Sequence, residues 1–120
     1  MKFSLLLWIL GRKLKAAAKK SAEFKNRVKE QNITVQIKTA DNSRGRYYVL
    51  KDGEVESIKG IAPQSDVALV WSDPATGFTV MKSESQEVKM KALTEGKLKL
   101  EGDGGKALWF TETIKQMKAV

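Results

Sequence analysis

The chain contains no cysteine, which removes any disulfide framework and all thiol chemistry. Histidine is absent too, and with it the commonest general base and the commonest transition-metal ligand. A Ser-His-Asp or Cys-His site is impossible, and a zinc site would need carboxylates alone. Aspartates at 41, 52, 66, 73 and 103 all fall at turns or strand ends, where Asp serves the backbone. The chain is therefore read as non-enzymatic, with no catalytic, cofactor-binding or metal-binding residue assigned. Asn32-Ile33-Thr34 matches a glycosylation acceptor but opens a predicted strand and is read as chance.

Apolar length is also lacking. The run FSLLLWIL near the N-terminus would make a helix of about 12 Å, against a bilayer core of about 30 Å. Arg12 and Lys13 follow it closely and spoil the neutral stretch before a signal cleavage site. The expected location is cytoplasmic, with peripheral membrane contact. Acidic residues are scarce in the same region. Residues 1–31 hold nine cations and two acids, a net +7 of the whole chain's +8. Such asymmetry points to an anionic partner for that segment, a membrane surface or a nucleic acid.

What is present is a 120-residue chain, 42% apolar and 30% charged, sized for one globular domain. Phe3, Leu7, Leu10, Leu14, Ala17, Ser21, Phe24 and Val28 recur at helical spacing, predicting one helix to about Glu30 with a break or kink at Gly11. Two uses of this helix stay open. Its stripe packs on the domain's own core, or its apolar tip (Phe3, Leu7, Trp8, Leu10) docks on a membrane or partner beside Arg12, Lys13, Lys15, Lys19 and Lys20. Residues 1–31 are thus read as a basic amphipathic helix and 32–120 as a folded β-rich unit.

From Ile33 the period becomes two. NITVQIKT, RYYVLK, EVESIK, DVALVW and KLKLEG read as strands, with Asp52-Gly53 as a hairpin turn and the apolar fourth strand central. In the fifth, Leu98 and Leu100 point inward and Lys97 and Lys99 outward. Ser72 or Asp73 with Pro74 starts a short helix that puts Phe78 and Met81 on one face. SQEVKMKALTEG forms a second, stopped by Gly96. A closing helix carries Leu108, Phe110, Thr111, Ile114 and Met117 on one side. The fold class is α+β, a five-stranded mainly antiparallel sheet with helices on one face.

YYVLKDGEVESIKG, DVALVWSD and ALTEGKLKLEGD, in that order, resemble the sterol carrier protein-2 (sterol-transfer) domain family over roughly residues 31–118. The Gly96-to-Asp103 motif is the most specific element. The segment PATGFTVMKSESQEV is shorter than the family's usual helical insertion, and the basic N-terminal helix lies outside the motif. The resemblance implies a non-catalytic domain enclosing an apolar cavity for a lipid, fatty acyl chain, sterol or polyprenyl molecule, with no cofactor. Its mouth would lie near the helices between strands four and five. The candidate lining is Val35, Ile37, Tyr48, Leu69, Trp71, Phe78, Met81, Leu93, Leu98, Leu100, Leu108 and Phe110. Each of these also suits an ordinary core, since patterning does not separate a full core from a hollow one. Burial of a methylene contributes roughly 0.8 kcal/mol, so a chain of about ten carbons could bind without strong polar contacts.

Nucleic-acid binding is the second reading. The apolar stripe interrupts its cations, and no stacking platform or phosphate cradle accompanies them. A structural homodimer through the helical stripe is a third, compatible with a lipid carrier.

Overall fold

The computed structural model describes residues 2–83 and 85–119. Ten elements follow one another: α1 (Lys2–Lys20), α2 (Ala22–Lys29), β1 (Ile33–Thr39), β2 (Gly45–Lys51), β3 (Glu54–Lys59), β4 (Val67–Trp71), α3 (Pro74–Lys82), α4 (Gln86–Thr94), β5 (Leu98–Gly102) and α5 (Gly104–Ala119). The five strands form one sheet in the order β3-β2-β1-β4-β5, antiparallel except for the β1–β4 pair. This is the expected α+β arrangement. The β2–β3 hairpin turns on Asp52 and Gly53, both at positive φ as a primed turn demands.

The sheet has two unlike faces. Strand alternation puts Ile33, Val35, Ile37, Tyr48, Leu50, Val67 and Trp71 on the helix side, where all are buried. α1 and α2 cover β2 and β3, while α3, α4 and α5 cover β4 and β5. On the opposite face, the β3–β4 connection shields Gln36, whose side-chain oxygen accepts a 2.8 Å bond from the Ala62 N–H.

The N-terminal segment departs from the single kinked helix. Gly11 is regular helix and the break falls at Ser21, which leaves helical geometry (φ −117°, ψ 116°) and accepts the Phe24 N–H at 3.1 Å. A serine that caps a new helix satisfies an otherwise orphan donor, which a glycine inside a helix does not. Gly11 has a different task. A Cβ there would collide with the Ser57 hydroxyl and lie 2.8 Å from its Cβ and 3.2 Å from the Tyr48 ring. Its missing side chain lets α1 lie flat on the sheet.

The apolar stripe is consumed by that contact. Phe3, Leu7, Leu10, Leu14, Phe24 and Val28 are all buried in the main core. The expected outward docking of Phe3, Leu7 and Leu10 is thereby corrected, because burying them against the sheet removes more apolar surface than leaving them for a partner. A two-helix seam built on the same residues is lost for the same reason. Only Trp8 of the apolar tip set faces outward, with Leu5 beside it.

α5 is rotated from its expected face. Ala107, Phe110, Thr113 and Met117 are buried, while Leu108 is 64% exposed and Thr111 is exposed. The rotation is possible because the Thr113 hydroxyl is satisfied, donating to Trp109 O at 2.7 Å and accepting from Arg27 Nε at 2.8 Å.

Candidate apolar site and basic groove

The twelve candidate lining residues divide into three groups. Val35, Ile37, Tyr48, Trp71 and Phe110 are closed off in the core. Leu69, Phe78, Met81 and Leu98 are partly buried and pack against it. Leu93, Leu100 and Leu108 are exposed. Tyr48 is fixed by a 2.6 Å bond from its hydroxyl to the Leu7 carbonyl of α1, and burial raises its pKa far above the usual phenol value, with Arg46 opposing. Phe78 turns its ring toward two cations, with Lys82 Nζ 5.2 Å and Lys2 Nζ 5.8 Å from the centroid.

The coverage of the sheet's inner face thins toward one edge. Along β4, Val67 and Trp71 are buried, yet Leu69 between them is only partly so. Its partner across the β4–β5 ladder is Leu100, 48% exposed, and the neighbouring pair is Trp71 with Leu98. Exposed Val88, Met90 and Leu93 of α4 and Leu108 of α5 add apolar surface on the two helices that contact β5. The buried indole N–H groups of Trp71 and Trp109 have no hydrogen-bond partner among the described residues.

A separate groove of about 650 Å³ opens at the other end of the helical layer. It runs between the start of α1 (Ser4, Leu5, Leu7, Trp8), the β1–β2 loop with the first residues of β2 (Asn42 to Arg46), and the end of β3 (Lys59 to Ile61). Nothing in the residue pattern alone marked it. It is also not the mouth position that the resemblance implies. A smaller depression adjoins it, lined by Trp8, Arg12, Lys15, Arg46 and Ser57. Arg12 lies 5.1 Å above the Trp8 ring, and Lys13, Lys15, Lys19 and Lys20 are exposed.

The five aspartates work on the backbone. Asp73 caps α3 through the Thr76 N–H, Asp103 accepts the Lys106 N–H at the start of α5, and Asp66 accepts the Thr34 N–H. Asp41 binds the Ser43 N–H and the hydroxyls of Ser43 and Thr39, which holds its pKa down to about 2. Thr76 lowers that of Asp73 in the same manner. Asp52 occupies the hairpin turn.

This architecture is that of the sterol carrier protein-2 domains. A UbiJ-SCP2 ubiquinone synthesis protein superposes with a TM-score of 0.67 at 13% identity, covering 97% of this chain and 93% of its own. The sterol carrier protein domain 2 of Helicoverpa armigera gives 0.67 at 18% identity, covering 100% and 91%. Palmitated SCP2L2 from Aedes aegypti gives 0.53 at 23% identity, covering 88% and 90%. No family model and no curated relative matches the sequence. No helix among the described residues is long and apolar enough to cross a membrane.

Proposed function

We propose that the protein is a non-catalytic carrier for a long-chain apolar molecule, held between sheet and helices over the β4–β5 edge. The observation that carries this reading is the incomplete cover of the apolar inner face at Leu69, Leu98 and Leu100, beside the buried Val67 and Trp71. An alkyl chain laid there would extend the core, each buried methylene contributing roughly 0.8 kcal/mol. An oxygen on the guest could also engage the unpartnered indole N–H of Trp71, whose strand partner is Leu98. A fatty acyl ligand accords with the palmitated Aedes aegypti protein of the same fold.

Native mass spectrometry of the purified protein tests this, with a long-chain molecule expected to remain bound. Palmitate added to stripped protein should raise Tm as any ligand selective for the folded state does. Leu100→Glu, at a half-exposed edge position, should keep the unliganded Tm within about 2 °C, since surface changes usually stay within about 0.5 kcal/mol. It should abolish the palmitate-induced rise. A protein that carries no long-chain molecule and gains no stability from palmitate overturns the carrier reading.

The outward cations Arg12, Lys13, Lys15, Lys19 and Lys20 would hold such a carrier against an anionic leaflet, at about 1 kcal/mol per charge near the surface. Flotation of the full chain with phosphatidylglycerol vesicles should exceed that with phosphatidylcholine. Reversing Lys13, Lys15 and Lys19 to Glu should remove the difference. Equal flotation with both lipids would refute electrostatic docking.

A further inference from the structure

The strand register places two cations face to face. Arg46 of β2 and Lys59 of β3 are directly opposed, on the face that also carries Tyr48 and Ser57, beside α1, with Lys59 exposed. Like charges opposed on one face of a sheet oppose folding. Arg46 is partly buried, and among the described residues its guanidinium donates to the neutral Ser57 hydroxyl at 2.9 Å. Neither cation forms an ion pair with a carboxylate among the described residues. Among the described residues, no acidic side chain lines either the groove or the depression beside it, and Arg46 borders both.

Apolar surface accompanies this charge. Leu5, Trp8 and Ile61 are large, exposed and clustered on the groove walls, with Leu7 behind them. The volume of about 650 Å³ falls within the range of small-molecule sites. A cationic pair that the fold does not neutralise, beside an apolar trough, matches one ligand chemistry: an acidic head joined to a hydrocarbon chain. We propose that this groove is a binding site for a single long-chain carboxylate, its head between Arg46 and Lys59 and its chain along Leu5, Trp8 and Ile61. The site is distinct from the apolar edge at β4–β5 and stands whether or not that edge holds a ligand.

Quenching of tryptophan fluorescence by monomeric 9,10-dibromostearate, without vesicles, tests the proposal on the full chain. Trp8 borders the groove, whereas Trp71 and Trp109 lie elsewhere. Saturable quenching is expected and should be lost in Trp8→Phe. Quenching that survives in Trp8→Phe reports Trp71 or Trp109 and hence binding away from this groove, so the two sites fail separately. Arg46→Gln and Lys59→Gln should each weaken the Trp8 signal about tenfold or more, the usual worth of a charge-assisted hydrogen bond. Dodecanoate should displace the probe at lower concentration than dodecanol. Lys59→Glu should raise Tm, by replacing the like-charge pair with an opposite one, and should eliminate the signal. The proposal is overturned if both Gln variants bind as the parent does, or if dodecanol competes as well as dodecanoate. It is equally overturned if Trp8 is quenched only by brominated phospholipid in vesicles, which would make this face a bilayer contact.

Discussion

Deletion of residues 1–31 is expected to unfold the protein, not to release a soluble 32–120 core. Phe3, Leu7, Leu10, Leu14, Phe24 and Val28 belong to the same buried cluster as Val35, Tyr48 and Leu50. Burying such a side chain contributes about 1.5–3 kcal/mol, so the six together supply on the order of 10 kcal/mol or more. Total domain stabilities are about 5–15 kcal/mol. The deletion would also expose the sheet beneath α1 and remove the Leu7 carbonyl that accepts the Tyr48 hydroxyl. The truncated chain should lack cooperative thermal unfolding and show collapsed amide dispersion by NMR. A 32–120 chain that melts sharply would show that the N-terminal helices are an appendage. The membrane question is for that reason posed with charge reversals on the full chain.

Phe110 and Leu108, two residues apart in one helix, should respond very differently to truncation. Phe110 is 1% exposed and Leu108 is 64% exposed. Phe110→Ala should cost about 3–5 kcal/mol, lowering Tm by roughly 10–20 °C at this chain length. Leu108→Ala should stay within about 0.5 kcal/mol. Thermal unfolding of the two variants in ligand-free protein measures both. Similar losses at the two positions would mean that α5 presents the face first expected from the sequence, with Leu108 inward.

The strands were legible because period-two alternation is a local property. ITVQIKT, RYYVLK and EVESIK alternate within single elements, and Asp-Gly dictates the turn between the last two. The Asp73-Pro74 helix start was equally local. α5 was harder because a Thr occupies an inward position there. Thr113 reads as polar until Arg27, 86 residues away in sequence, satisfies it. The break at Ser21 was hidden in the same way, since serine fits both a helix interior and a cap.

Composition and periodicity by themselves determined the element order, the two-faced sheet, the basic bias of residues 1–31 and the absence of Cys and His chemistry. Only tertiary structure decided whom the N-terminal stripe faces, because an amphipathic helix is equally amphipathic against its own sheet, a membrane or a second chain. Tertiary structure also set Arg46 opposite Lys59. Each falls in phase with the apolar positions of its own strand, Arg46 with Tyr48 and Leu50, Lys59 with Val55. Their opposition exists only once the hairpin register aligns them, at the edge of the sheet where the cover of α1 ends on a half-buried Arg46 and an exposed Lys59.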